Sequence, residues 1–269
     1  MLAILINLFL AALLSSLMVG ISSPMITFSK NLMAGFSFIH GVLAGGLLAT
    51  YFYYVLGVPT PPEVITLVYV IILAFIVSEL IEHGYSTDAA SAISTSISAM
   101  FSVFFAYLSG PYASRAWSII VGTSVIITPR EIVLLVVFLV LLVMIHAMFR
   151  REIMYISFDP EGAYTLGYNV RFYRYVIYIS IALVVVALTY TLGIIIAHIL
   201  IATPGAVALS ISKKNYLQTS IIISSIIGVV GYSVAYILSM PPSVGVGIIA
   251  STVLIVGEAI KKRRLIKIS

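Results

Sequence analysis

The chain contains no cysteine and few charged residues, and both scarcities limit what it can do. Without cysteine there is no disulfide, no thiolate metal ligand and no redox site. Charged residues make up 9% of the chain, hydrophobic residues make up 62%, and the mean hydropathy is +1.20. No Gly-x-x-x-x-Gly-Lys-Ser/Thr phosphate loop and no His-Glu-x-x-His zinc motif occurs. The sequence therefore predicts an integral membrane protein without evident catalytic chemistry of its own.

Apolar runs of about twenty residues, the length that crosses a bilayer, divide the chain into nine predicted spans. The first run lacks the basic start and the cleavage site of a signal peptide, so we expect a retained span. The fourth run is rich in serine and the seventh contains Pro204 and Gly205, and we expect both helices to lie inside the bundle. The prediction is an all-α, polytopic membrane bundle that forms a single domain over residues 1–269. The runs cover 2–21, 32–56, 62–83, 88–109, 131–149, 172–194, 196–211, 217–238 and 244–260.

The basic residues predict the orientation of this bundle in the cell membrane. With the N-terminus outside and the C-terminus in the cytoplasm, only Arg115 and Arg130 among the fourteen Lys and Arg residues lie outside. Because the basic residues sit at the ends of apolar runs and form no single stripe, the net charge of +5 does not indicate nucleic-acid binding. The predicted cytoplasmic residues are Lys30, Arg150, Arg151, Arg171, Arg174, Lys213, Lys214, Lys261, Lys262, Arg263, Arg264 and Lys267.

Residues 157–169, SFDPEGAYTLGYN, form a polar, acid-bearing segment within this apolar chain. Asp159 is a favourable helix N-cap, Pro160 fits the first helical position, and Glu161 suits the positive helix start. Gly167 is able to end the helix in a left-handed conformation. The segment predicts a rigid helix of about two turns on the cytoplasmic face, where it would dock a partner.

Residues 110–130 are too interrupted by Gly, Ser and Pro to form a clean span. We expect an outer loop with a short interfacial piece. The loop is either an inert connector with Trp117 as an interface anchor or a surface that meets an extracellular partner.

Two histidines, His40 and His198, fall within predicted spans, where an imidazole cannot snorkel to water as lysine does. An ionisable residue inside the membrane is a functional candidate, and imidazole is a common ligand for transition metals. Both are therefore candidate transit ligands for a cation. The alternative for each is a ring that donates a hydrogen bond to a neighbouring carbonyl and tightens helix packing. His83 and His146 fall near the inner boundary, and we expect them to be interfacial.

Four sequence segments occur in a characteristic order, and together they carry a resemblance. They are HGVLAGG at 40–46, TDAASAI at 87–93, FDPEGAYTLG at 158–167 and GIIIAHILIATPGAVAL at 193–209, followed by PPSVG at 241–245. In these segments the chain resembles a permease of the metal-ion (zinc, manganese, iron) family of ABC importers. The resemblance extends from about the second span to the last.

This resemblance implies partners and a substrate. The permease would pair with a second permease chain as a dimer, bind cytoplasmic ATP-binding subunits, and receive a divalent metal ion from an extracytoplasmic metal-binding protein. No permanently bound cofactor is expected, because the metal ion is the substrate. The segment that begins at Asp159 resembles the coupling loop of importers at Glu161, Gly162, Ala163 and Gly167. The small residues would let the helix seat closely on the ATPase. Glu161 would pair with a basic residue of that subunit.

At one position the chain departs from this family. There the histidine that matches His40 is usually preceded, four residues earlier, by an aspartate on the same helix face. Here that position is Phe36. A carboxylate with an imidazole suits a divalent cation better than one imidazole does. The chain would therefore bind metal more weakly, recruit another ligand such as His198, or carry something else.

Three other classes of function stay open on the sequence. A secondary transporter or channel for a small cation or other solute would need no ATPase, but it should show broken helices in both halves. Only one interrupted helix, near Pro204, is evident. An intramembrane enzyme would need a convergent nucleophile and base, and the serines form no recognised set. A structural scaffold would leave the capped helix at 157–169 unexplained.

Overall fold

The computed structural model describes residues 2–114, 127–212 and 214–266, which are almost entirely helical and contain no strand. Nine helical stretches in this part of the chain are long and apolar enough to cross a membrane, which confirms the predicted all-α polytopic bundle. The helices are α1 (Leu2–Phe28), α2 (Leu32–Tyr54), α3 (Pro62–Glu82), α4 (Thr87–Ser109), α5 (Pro129–Phe158), α6 (Pro160–Thr165), α7 (Val170–Leu192), α8 (Ile194–Ile211), α9 (Tyr216–Ser225), α10 (Gly231–Ile237) and α11 (Pro242–Ile266). A π-helical turn, Ile226–Val230, joins α9 to α10 into one span.

The spans alternate in direction, so the bundle has two ends. The end that carries α6 is called the α6 face, and the other is called the opposite face. On the α6 face, the ring of Phe28 at the end of α1 lies 5.1 Å from that of Phe158 and 5.0 Å from that of Tyr216, centroid to centroid. On the opposite face, the start of α3 meets the start of α5 through an ion pair between Glu63 and Arg130.

Helix α7 forms the centre of the bundle, and α1 packs beside it. Most residues of α7 from Val176 to Leu192 are buried, and α7 contacts α1, α2, α3, α5 and α8. Its run of valine and isoleucine lacks a polar face, as expected for a helix enclosed by other helices. The first helix extends to Phe28, beyond the predicted end at residue 21, and includes Pro24.

The proline-containing part of α8 is sheltered by α1, as predicted. Pro204 and Gly205 are buried. The Ser23 hydroxyl accepts a hydrogen bond from the Gly205 N–H (2.8 Å) and donates one to the Ile201 carbonyl (2.9 Å). The hydroxyl thus stands between the two backbone groups that an uninterrupted α-helix would join directly. A side chain from α1 thereby satisfies polar groups of α8 that lipid could not.

Helix α4 differs from the prediction that it lies inside the bundle. Only its serine-bearing face is buried, while the face with Met100, Val103, Phe104 and Tyr107 is exposed. Its serine hydroxyls are largely satisfied within the helix, as where Ser102 donates to the Ser98 carbonyl (2.8 Å). Small residues on that face let α4 approach α2 closely. The buried serines are Ser91, Ser94, Ser98, Ser102 and Ser109.

Most of the predicted outer loop at 110–130, including Arg115 and Trp117, lies outside the described residues. At its start, Gly110–Tyr112 forms one 3-10 turn. At its end, the Thr128 N–H donates a hydrogen bond to the Glu131 carboxylate (2.6 Å), which caps α5.

Candidate functional site

The α6 helix is closed at both ends by hydrogen bonds within its own segment. At the start, the Asp159 carboxylate accepts a hydrogen bond from the Gly162 N–H (2.8 Å). At the end, Gly167 has a φ of +84°, and the Tyr168 N–H donates to the Ala163 carbonyl (3.0 Å). These bonds satisfy backbone groups that a short helix leaves free. The predicted N-cap at Asp159 and the left-handed conformation of Gly167 are confirmed.

Gly162 and Ala163 also have roles within this chain, in addition to the close seating on a partner that the sequence predicts. A Cβ at Gly162 would lie 2.1 Å from an Asp159 carboxylate oxygen, so a larger residue there would make the capping carboxylate shift. Ala163 is fully buried within this chain. The buried methyl group does not itself contact a partner, and the part of Ala163 in the seating of α6 on the ATPase stays a prediction. Its small size serves the packing of α6 onto its own bundle.

The exposed surface of α6 includes apolar side chains that the sequence reasoning passed over. Tyr164 is 75% exposed, and Leu166 and Phe158 are each 67% exposed. Glu161 is also exposed beside them. The sequence could have indicated this surface, because a tyrosine and a leucine are unusual in an otherwise polar turn. Large apolar side chains grouped at an exposed helix indicate a surface that meets a partner.

Polar contacts on the α6 face fix the direction in which the chain leaves α6. Arg171 and Arg174, at the start of α7, pair with Glu79 and Glu82 at the end of α3, each at 2.5 Å. The Tyr175 hydroxyl also donates to Glu79. Exposed ion pairs contribute little stability one by one, but together these contacts hold α7 and α3 side by side.

Within the bundle, the structure brings His40 of α2 and His198 of α8 together. Their ring centroids are 6.1 Å apart and the rings are close to perpendicular. The His198 Nδ1 lies 2.8 Å from the Ile194 carbonyl, which only accepts hydrogen bonds. Nδ1 is therefore the donor in this hydrogen bond, which leaves Nε2 as the ring nitrogen that could face a cation. Histidine ligands of metals commonly donate their other N–H in this way.

Phe36 completes this group. Its ring stacks on that of His198, with centroids 5.5 Å apart and an interplanar angle of 28°. All three side chains are half-buried. In the described part of the chain, no group of three or more His, Asp or Glu residues is placed to hold a metal ion. The histidine pair, defined as His40 and His198, therefore offers two donors beside an aromatic ring.

The glycines that follow His40 serve packing. A Cβ at Gly41 would lie 2.5 Å from the Leu73 side chain, and one at Gly45 would lie 2.9 Å from the Thr66 backbone. Both glycines thus allow α2 to lie close to α3. The other two histidines lie on other helices: His83 is exposed at the end of α3, and His146 lies on α5.

Comparison with known proteins gives a consistent result. The model of the ABC 3 transport family matches residues 1–261. A Thermotoga maritima protein named "Probable metal transport system membrane protein" is 26% identical over 244 residues, which are 90% of this chain and 84% of that protein. The manganese transport system membrane protein MntC of Listeria innocua is 27% identical over 168 residues, or 59% of each chain.

Among solved structures, one of PsaBC from Streptococcus pneumoniae in complex with Fab shares the fold. The match has a TM-score of 0.79 with 19% sequence identity, and it covers 94% of this chain and 90% of that chain.

Proposed function

The chain belongs to the ABC 3 transport family, and we propose that it is the permease subunit of an ATP-driven importer that moves a divalent transition-metal ion across the cell membrane. The match over residues 1–261 carries this proposal. Relatives named for metal and manganese transport support the class of substrate. The permease is not itself an enzyme, because ATP would be hydrolysed by a separate subunit.

In this proposal α6 is the coupling helix, and the α6 face lies in the cytoplasm. Exposed Tyr164 and Leu166 would enter a cleft of the ATPase, and Glu161 would meet a basic residue at its rim. The orientation is supported by the basic residues that the positive-inside rule places on this side. Because α6 is rigidly capped, a change in the ATPase would move it as one body and pass to α3 and α7 through their ion pairs.

The histidine pair is proposed to lie on the route of the ion. Imidazole nitrogens bind zinc at about 2.0–2.1 Å, so rings with centroids 6.1 Å apart are close enough to share one ion. Two neutral donors bind more weakly than a set with a carboxylate, which suits an ion that must leave again. We further propose that a second copy of this chain completes the route and that an extracytoplasmic metal-binding protein delivers the ion to the opposite face.

The experiment is metal uptake by the permease reconstituted in liposomes with its ATPase and binding protein. His40→Ala and His198→Ala should each reduce Mn²⁺ or Zn²⁺ uptake by roughly tenfold or more, since even residues that only support a metal ligand contribute that much. His83→Ala is the matched control, because that ring is exposed at the end of α3 and belongs to neither α2 nor α8.

Three outcomes would contradict the proposal. Uptake by the His40 and His198 variants equal to that of His83→Ala would remove the pair from the route. Uptake that proceeds at the same rate without the ATPase would favour a secondary transporter or channel. Full assembly with the ATPase after Tyr164→Ala, when compared with the control Tyr53→Ala on the opposite face, would remove α6 from the coupling role.

A further inference from the structure

A groove on the outside of the bundle is not used by the transport proposal. It has a volume of about 650 Å³ and runs between α1, α5 and α9 near the α6 face. Its apolar wall includes Ile21, Val143, Leu217 and Ile221. The volume falls in the range of pockets that hold small organic molecules. The groove lies on membrane-spanning helices, at the surface of the single chain.

The polar end of the groove is formed by consecutive arginines, Arg150 and Arg151. Neither forms an ion pair with any residue that the structure describes. Arg150 is positioned by Tyr216, whose hydroxyl accepts its hydrogen bond (3.3 Å). Glu152 also lines the groove, so the two guanidinium groups and one carboxylate leave a net charge of +1. This end therefore attracts an anion.

His146 lies on the same wall, one helical turn before Arg150. Its Nε2 atom is buried and has no hydrogen-bond partner among the described residues. Because Nε2 is buried, the part of the ring that lines the groove is another edge of the imidazole. The turn between His146 and Arg150 spans about 6 Å along the axis. The ring therefore forms part of the wall below the arginines.

The length of α5 places these donors relative to the membrane. Its 30 residues span about 45 Å, whereas the hydrocarbon core is about 30 Å thick. A helix that enters at Pro129 leaves the hydrocarbon about twenty residues later, which is at the arginines. Arg150 and Arg151 are therefore level with lipid phosphates, and the apolar wall is level with acyl chains.

We propose that this groove is a binding site for an anionic phospholipid. The phosphate group pairs with Arg150 and Arg151, and one acyl chain lies along Leu217 and Ile221. Basic pockets between transmembrane helices at this depth are suited to anionic head groups. The site shares no residue with the histidine pair.

The test is native mass spectrometry of the purified full chain, titrated with phosphatidylglycerol or with the neutral phosphatidylcholine. The parent protein should retain one phosphatidylglycerol with a preference on the order of tenfold. The double variant Arg150→Gln/Arg151→Gln should lose that preference. Lys261→Gln/Lys262→Gln, which removes two charges from the end of α11, should keep it. Leu217→Trp, which fills the groove without a change in charge, should reduce retention of both lipids.

Several results would overturn the proposal. Equal retention of both lipids by the parent chain would show that the groove does not select charge. A double arginine variant that keeps the preference would place the lipid elsewhere. If that variant keeps the preference but loses assembly with the ATPase, the arginines belong to a protein interface instead. Melting temperatures of all variants, measured in the same detergent, separate loss of lipid from loss of fold.

Discussion

The α6 loop and the histidine pair are both proposed to serve transport, but they are built in opposite ways. The caps of α6 connect residues between Asp159 and Tyr168, so neighbours in sequence hold it together. The histidine pair joins α2 to α8, and its geometry depends on the packing of distant helices. The loop is thus a local structure, whereas the pair is a product of the whole bundle.

This difference has a functional consequence. A docking helix must keep its shape while its partner pushes on it, and local caps give that rigidity at low cost in packing. A transit site must change its affinity for the ion as the helices move. Rings on two different helices separate or approach with small shifts, whereas ligands on one helix would keep their spacing.

The largest predicted effect comes from a change that should alter the pair and spare the loop. A Cβ at Gly205 would lie 2.5 Å from the Ser23 backbone, so Gly205→Ala must push α8 away from α1. Overpacking of this kind costs about 1–3 kcal/mol and occasionally more. We expect a lower melting temperature and reduced metal uptake. Assembly with the ATPase, measured on the same variant, should be unchanged.

Gly247→Ala is the control for that change, because its Cβ would meet only the Ile199 side chain at 3.6 Å, an ordinary contact. Equal melting temperatures for the two alanine variants would show that the close approach of α1 and α8 is not limiting. If Gly205→Ala keeps its fold but no longer assembles with the ATPase, the histidine pair and the α6 loop are not independent.

A change of intermediate size should strengthen the pair. Phe36→Asp places a carboxylate beside His198, where Phe36 now stacks, and adds a charged donor to two neutral ones. We expect Mn²⁺ to bind roughly tenfold more tightly, which corresponds to about 1.4 kcal/mol. The measurement is the rise in melting temperature with added Mn²⁺. Phe36→Asn is the control, because asparagine has the shape of aspartate without its charge. An equal rise in melting temperature with Mn²⁺ in that variant would contradict a metal site here.

The smallest predicted effect is confined to the loop. Asp159→Ala removes the N-cap of α6, a loss of about 1 kcal/mol. If docking requires the capped form, assembly with the ATPase weakens by about fivefold at most, and Mn²⁺ binding by the permease stays constant. Asp88→Ala is the matched control, since Asp88 is exposed in the first turn of α4 while Ser86 caps that helix. Weaker Mn²⁺ binding in Asp159→Ala would break the proposed separation of the two regions.

Sequence reasoning succeeded where the relevant forces act locally. The nine spans follow from hydropathy, and the caps at Asp159 and Gly167 follow from preferences of single residues. The same reasoning misjudged α4, because which face of a helix is buried depends on its neighbours. Serine in α4 suggested a fully enclosed helix, yet several of its hydroxyls bond to the backbone of α4 and permit one-sided packing.

The approach of His198 to His40 could be raised only as a question from the sequence. No periodicity connects positions on α2 and α8, and the contact exists because α7 and α1 set where α8 lies. The role of the pair in transport stays a prediction until uptake is measured. Phe36 is the clearest example of a residue whose partner, His198, only the fold reveals.

The hydroxyl of Ser23 also has a consequence for how this protein is made. It belongs to α1, which is synthesised before α8, and it bonds to backbone groups of that helix about 180 residues later. Until the two meet, the Gly205 N–H and the Ile201 carbonyl lack this hydroxyl as a partner. We therefore expect the seventh span to reach its final packing only when α1 is present. A C-terminal half of this chain expressed alone should need the N-terminal half, supplied as a separate fragment, before it becomes resistant to degradation.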